Sequence, residues 1–334
     1  MSKSNSNAYK SKDETVISSN NEIFFSDVLK LWMDNNRIKL KGGTINKYEN
    51  IISMHINPEL GEKKLSEITT IMINNYLSHK LKNGRLDNKG GLSPSYVRSI
   101  VFVINSVLKF ATEEQMCLPL KSSISKPRID KKEFNIISIE EERKLRNYLC
   151  NDISPTKTGI LISLYAGLRI GEVCALSWND IDLNNNILHV RHTIARVKNE
   201  DSPTHSATRL VIDTPKTKSS KRDIPICSSL RPYLIESYKK SKSEYVISDT
   251  DSYVNPRTFE YRFHRIINKC NITRINYHTL RHTFATRCIE AGVDVKSLSE
   301  ILGHSNVGIT LNTYVHSSMN MKRVQIEKLA SFNS

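Results

Sequence analysis

The stretch Gly159-Ile160-Leu161-Ile162-Ser163-Leu164-Tyr165-Ala166-Gly167-Leu168-Arg169-Ile170-Gly171-Glu172 decides how the second half of the chain is read. From Gly159 to Ala166 it is apolar nearly all round a helix, so that helix must be buried. The buried helix then runs into an arginine flanked by glycines. Arginine almost never enters such surroundings unless a carboxylate or an anion meets it. Glu172, three residues on and on the same helical face, offers the ordinary answer, a structural Arg–Glu pair. A bound anion is the functional answer, and this stretch alone leaves both open.

Working outward, Ile139 to Leu149 reads as a helix with Ser138 as its cap and Glu141 completing a capping box. The run Glu140-Glu141-Glu142 puts negative charge in its first turn, where the helix dipole favours it. Downstream of the turn Asn184–Asn186, Ile187–Val197 alternates and is rich in β-branched residues. Thr208–Asp213 and Asp223–Ile226 are shorter strands, which together predict one small antiparallel sheet. After Pro256 the helical period returns with Phe259, Phe263, Ile266 and Ile267. It persists through Leu280–Ile289, Val295–Leu302 and a last helix near Met321–Phe332. The apolar stripe of that last helix, Met321, Val324, Leu329 and Phe332, suits either its own domain or a neighbouring protomer.

Upstream, Phe24, Phe25, Val28, Leu29, Leu31 and Trp32 suit the buried face of a first helix ending before Gly42–Gly43. Thr44 is read as the cap of a second, and Ile71 to Leu81 as a third, stopped at Asn83–Gly84. Ser93 caps a longer fourth, with Pro94 at its first position and Val97, Ile100, Val101, Ile104, Val107, Leu108 and Ala111 at helical spacing. The expected organisation is a disordered polar arm over 1–21 and a helical domain over 22–117. A basic extended linker over 118–133 and a mainly helical domain with a small sheet over 134–334 complete it.

The chain has 334 residues, 49 basic and 34 acidic, for a formal charge of +15. Residues 1–130 carry 19 basic and 13 acidic side chains, net +6, and the remainder is net +9. Two separately basic halves suggest two surfaces meeting one polyanion, with nucleic acid the usual candidate. No apolar run approaches the ~20 residues of a membrane span, and Met1 to Asn20 holds no secretory signal, so a cytoplasmic protein is expected. The six cysteines lie at least 18 residues apart, which argues against a zinc site. The polar start is too short for a further folded domain before residue 22; either one belongs there or the protein does without it.

Four stretches can carry chemistry. Arg169 with Glu172 is the first. The second is His278-Thr279-Leu280-Arg281-His282-Thr283-Phe284-Ala285, where positions 278, 281, 282 and 285 share one helical face. His at i and Arg at i+3 suit a phosphate: the guanidinium grips two oxygens while the imidazole moves a proton. The third, Leu302-Gly303-His304-Ser305, ends a helix on glycine and presents His304. The fourth is Thr310-Leu311-Asn312-Thr313-Tyr314-Val315-His316, whose phenol needs a base or nearby cations to become a nucleophile. Each alone has an ordinary structural reading: a surface helix, a capping histidine, a packed aromatic. Two Arg, two or three His, a Tyr and no metal-ligand cluster together suit phosphoryl transfer that needs no metal or other cofactor.

In that order, Arg169, His278-x-x-Arg281, His304 and Tyr314, over roughly residues 160–320, the chain resembles the tyrosine recombinase (phage integrase) family, most closely integrases of mobile elements. The resemblance implies an N-terminal helical core-binding domain and a C-terminal catalytic domain. It implies that Tyr314 attacks a DNA phosphate to form a 3′-phosphotyrosyl link, with Arg169 and Arg281 on the non-bridging oxygens. His278 would accept the tyrosine proton, His304 would hydrogen-bond the phosphate, and Glu172 would support the site. A family lysine protonates the leaving 5′ oxygen; Lys216 is the better match and Lys218 the alternative. Lys218, Lys221 and Arg222 are read as DNA phosphate contacts, and His316 as structural or a secondary phosphate contact. The resemblance also implies double-stranded DNA and a homo-tetramer as partners, with accessory DNA-bending or excision proteins.

Three rivals stand beside this reading. A type IB topoisomerase-like enzyme shares the chemistry without joining two DNA partners. A metal-dependent nuclease would use Asp180 and Asp182. A DNA-binding regulator would carry these residues without using them.

Overall fold

The computed structural model describes residues 23–129, 135–198, 208–213 and 218–314, with 323, 326 and 327. The chain divides into two compact units, Met1–Lys131 and Lys132–Ser334.

In the first unit, α1 (Phe25–Arg37) buries Phe25, Val28, Leu29, Trp32 and Met33 along one stripe. Helix α2 (Gly42–Ile51) starts two residues before Thr44, on the Lys41 backbone rather than on a threonine cap. It runs through one wide turn, Ile52–Ile56, into the short α3 (Asn57–Leu60). Helix α4 (Thr70–Asn83) is capped by Thr69, whose Oγ1 accepts from the Met72 amide at 3.2 Å. Helix α5 (Pro94–Glu113) begins at the expected Ser93 cap and buries the expected stripe plus Val103. Each such Val, Leu or Ile stabilises the unit by about 1.5–3 kcal/mol relative to exposure.

Residues 118–129 of the segment read as a basic linker form neither helix nor strand, and this unit holds them. Ile124 is buried in the unit's core. Thr70 Oγ1 donates to the Ser122 carbonyl at 3.1 Å, the Ser125 amide to Asn74 Oδ1 at 3.0 Å, and Arg98 Nε to the Pro127 carbonyl at 2.8 Å. Polar side chains on α4 and α5 thus satisfy a stretch that periodicity alone leaves unanchored.

In the second unit, α6 (Ile139–Cys150) starts on the expected capping box: Ser138 Oγ accepts from the Glu141 amide and Glu141 Oε2 from the Ser138 amide. Helix α7 (Pro155–Ala166) is buried over most of its length at the centre of the unit's core. It ends at Gly167, in the left-handed region at φ +64°, where a Cβ would stand 2.5 Å from the Phe284 ring. Helix α8 (Ile170–Ala175) follows at once.

The sheet differs from expectation in one respect: it is two separate sheets. Strands β1 (Ile181–Asp182), β2 (Ile187–Val190) and β5 (Arg222–Pro225) form one antiparallel sheet in the order β1-β2-β5, with Val190 opposite Arg222. Strands β3 (Thr193–Lys198) and β4 (Thr208–Asp213) form a hairpin of their own. The break falls at Arg191, whose Nη1 donates to the Arg222 carbonyl at 2.9 Å and whose Nη2 pairs with Asp223. Helices α9 (Arg231–Lys240), α10 (Pro256–Lys269), α11 (His278–Glu290), α12 (Val295–Leu302) and α13 (Val307–Tyr314) complete the unit. Of the expected last helix, only 323, 326 and 327 are among the described residues.

Candidate active site

Gly167 turns the chain so that Arg169 caps α8 and Glu172 sits in its first turn. Glu172 is 3% exposed and is gripped from two sides. Its Oε2 accepts from the Arg169 amide at 2.8 Å and its Oε1 from Arg169 Nη1 at 2.8 Å. From β5, Arg222 Nη2 and Nη1 donate to the same two oxygens at 2.9 and 3.1 Å. Burial alone would raise the Glu172 carboxyl, but the two guanidiniums outweigh it and hold it at about 2. Arg222 Nε also donates to the Ile301 carbonyl at 2.5 Å, tying β5 to the end of α12.

This corrects the sequence reading of Arg222 as a phosphate contact. Its side chain is buried, and both terminal nitrogens serve Glu172. Alternation held the signal: residues 222 and 224 share the inward face of β5, and Ile224 is plainly a core residue.

Helix α11 supplies the next groups. Arg281 is 1% exposed; its Nη1 donates to the Gly167 carbonyl at 2.8 Å and its Nη2 to the Leu302 carbonyl at 2.6 Å. One side chain therefore fixes the end of α7 against the end of α12. Burial, then the charge of Arg169, pushes its guanidinium down to about 9. His278 opens the helix and meets His282 one turn on, ring edge to ring face, with centroids 4.7 Å apart.

Gly303, left-handed at φ +65°, ends α12 and delivers His304. Ring nitrogen Nδ1 of His304 is 2.8 Å from Thr310 Oγ1, and its ring lies parallel to that of Tyr314, with centroids 6.4 Å apart. Tyr314, at the end of α13, is 7% exposed and packs with Ala285, Ile289, Leu298 and Leu302. Its hydroxyl lies 2.9 Å from His282 Nδ1, and Arg281 donates to its oxygen. Burial raises the Tyr314 phenol, while Arg281 and Arg169 pull against that rise.

Burial lowers all three imidazoles, and the neighbouring positive charges push the same way. His282 falls to about 4, with His278 and Arg281 adding to burial, and His304 to about 4, with Arg281 and Arg169 adding. His278 is lowered by burial, then by Arg281 and Arg169. At neutral pH the site thus holds uncharged histidines among the guanidiniums of Arg169, Arg222 and Arg281, balanced by one carboxylate, Glu172. Such a site favours an anion, and fixed donors already aimed at it need no reorganisation.

The structure therefore gathers Arg169, Glu172, His278, Arg281, His304 and Tyr314 within one unit. Lys216 lies outside the described residues, as does His316. Lys218 opens the short turn Lys218–Ser220, and Lys221 is exposed beside it. Sequence reasoning gave His282 no role, although the i, i+4 spacing from His278 placed it on the same face.

Asp180 and Asp182, the nuclease alternative, are spent on local turns. Asp180 accepts from the Ser177 amide and hydroxyl, and Asp182 from the Asn184 and Asn185 amides. Among the described residues no three His, Cys, Asp or Glu side chains are grouped to hold a metal ion.

The model of the phage integrase family matches residues 135–321, and that of the phage integrase N-terminal SAM-like domain matches 24–81. The chain belongs to the phage integrase family of tyrosine-type site-specific DNA recombinases, enzymes that cut DNA and rejoin it. It is 28% identical to a XerC-like tyrosine recombinase of Caldanaerobacter subterraneus, over 92% of this chain and 83% of that one. It is 24% identical to the ICEBs1 integrase of Bacillus subtilis over the same shares. Among solved structures, the Tn1549 transposon integrase in complex with transposon right-end DNA superposes with a TM-score of 0.74, at 22% identity over 92% of this chain and all of that one. No described helix is long and apolar enough to cross a membrane.

Proposed function

We propose that this protein is the integrase of a mobile element and that Tyr314 is its nucleophile. The phenol oxygen attacks a DNA phosphate, forming a 3′-phosphotyrosyl link and releasing a 5′ hydroxyl. Arg169 and Arg281 hold the non-bridging oxygens, where charge develops in the transition state. His304 donates to the phosphate, and by likeness to the family His278, at the start of α11, accepts the tyrosine proton. Lys216 protonates the leaving oxygen, with Lys218 as the alternative, and Lys221 contacts the DNA backbone. Glu172 keeps Arg169 in place, and Arg222 keeps Glu172 in place.

The observation that carries this reading is the convergence on the Tyr314 hydroxyl. Arg281 and His282 of α11 meet it directly, the His304 ring lies parallel to its own, and the Arg169 charge acts on it from the α7–α8 turn. Support for the partners comes from relatives. The Tn1549 integrase was solved with transposon and circular-intermediate DNA, and lambda integrase as a tetramer bound to a Holliday junction. By likeness, this chain acts on double-stranded DNA as a homo-tetramer, with accessory DNA-bending or excision proteins, in the cytoplasm.

A nicked suicide substrate made from the ends of the gene's own element tests the reading. Wild-type protein should accumulate a covalent adduct, and Arg169→Ala and Arg281→Ala should each form it about 10³–10⁵-fold more slowly. Loss below tenfold for either would remove that arginine from its role. Joining of two separate duplexes distinguishes recombination from topoisomerase-like relaxation.

A further inference from the structure

The resemblance puts the tyrosine's proton on His278, yet the imidazole that meets the Tyr314 hydroxyl is that of His282. Nδ1 of His282 stands 2.9 Å from the phenol oxygen, and the two rings are 5.6 Å apart and tilted by 49°. His278 instead meets the His282 ring, edge to face.

We infer that His282 is a catalytic residue, the hydrogen-bond acceptor that aims the Tyr314 hydroxyl and takes its proton when the phenol oxygen attacks phosphorus. This rests on Tyr314 being the nucleophile. Three observations carry it. The contact is at hydrogen-bond distance between a phenol and a ring nitrogen. The phenol oxygen accepts from Arg281, a side chain with no acceptor of its own, so the phenolic proton cannot go to Arg281, and Nδ1 of His282 stands within its reach. Burial first, then His278 and Arg281 of its own helix, keep the imidazole neutral, and in the tautomer with its proton on Nε2 the Nδ1 lone pair faces the phenol at ordinary pH. Arg281 cannot be the acceptor, and His304 spends its Nδ1 on Thr310.

The step balances as follows. The bond from Tyr314 Oη to phosphorus forms while the bond from phosphorus to the 5′ oxygen breaks. The phenolic proton passes to His282 Nδ1, and the 5′ oxygen takes a proton from the general acid, Lys216 in the reading above. Religation runs both transfers backwards and restores the phenol. Because the neutral imidazole is a weak base beside a buried phenol, the proton moves together with bond formation rather than before it.

Two substitutions and one substrate test this. His282→Ala should slow single-turnover adduct formation by about 10²–10⁴-fold, the usual scale of general-base catalysis. His282→Asn places an amide oxygen near Nδ1, keeping an acceptor that cannot carry the proton, and should recover less than tenfold of that loss. DNA with sulfur at the bridging 5′ position needs no acid. On it Lys216→Ala should be rescued, while His282→Ala stays slow. A His282→Ala rate within threefold of wild type would overturn the inference, as would full rescue by asparagine. An adduct formed by Tyr314→Phe would instead sink the underlying reading of the nucleophile. Should His282→Ala fail to fold, nitrogen-15 spectra of the wild-type histidines still decide. Nδ1 of His282 must be unprotonated and must shift in Tyr314→Phe; a proton on Nδ1 would contradict the proposal.

Discussion

Glu172 is the carboxylate against which Arg169 and Arg222 are both set; Glu172 and Arg222 are buried, while the Arg169 side chain stays 36% exposed. Removing one member of such a cluster strands the others, at a cost of about 3–5 kcal/mol. Glu172→Ala should therefore lower the unfolding free energy by that amount in urea titrations, and a loss below 1 kcal/mol would show that the arginines find other partners. The pH dependence has a definite sign. Glu172 sits near 2 when folded against an ordinary 4.5, so its contribution is present above pH 4.5 and is lost as the pH falls toward 2. His282 and His304 act earlier: the unfolded chain protonates them near 6.5 and the folded chain only near 4, so stability already falls between those values. His304→Asn should flatten that upper part of the profile, and an unchanged slope would count against the buried, neutral ring. That His278, Arg281 and His282 share one face was legible from their spacing on one helix, whereas each motif residue alone also had an ordinary structural reading. Arg222 was misread because a basic run looks like a solvated face, and only the inward alternation with Ile224 shows otherwise.

Helix α11 is the element on which the site is built, carrying His278, Arg281 and His282. Its registration depends on the turn at Gly167, whose carbonyl Arg281 holds. Gly167→Ala puts a Cβ in the left-handed region, at about 1–2 kcal/mol, and drives it into Phe284. We expect a drop in thermal midpoint together with slower cleavage, and a variant as stable and as fast as wild type would refute the link. Helices with a clear cap and stripe, α5 and α6 above all, could be read from the sequence, because Ser93 and Ser138 satisfy orphan amides that only a helix start presents. The split of the sheet could not: it falls beside Arg191, whose side chain reaches back to β5, a contact that no local pattern foretells. Nor could the docking of residues 118–129, which depends on side chains of α4 and α5 far away in sequence.

Across the whole molecule, each of the two units has its own core and its own excess of positive charge. A protein that meets DNA with both should bind in a strongly salt-dependent way. With six to ten phosphates neutralised, affinity for a core site should fall by ~10³–10⁵ between 50 and 200 mM salt. A change below tenfold, measured by fluorescence anisotropy, would mean that one unit does the binding almost alone. The identity of the attacking atom is the claim on which the rest depends. It is tested most directly by trapping the adduct on a nicked duplex, digesting it, and mapping the nucleotide-bearing peptide by mass spectrometry. The account predicts a single modified peptide with the 3′ phosphate esterified to Tyr314; a nucleotide on any other side chain, or none at all under conditions where the DNA is cut, would contradict it.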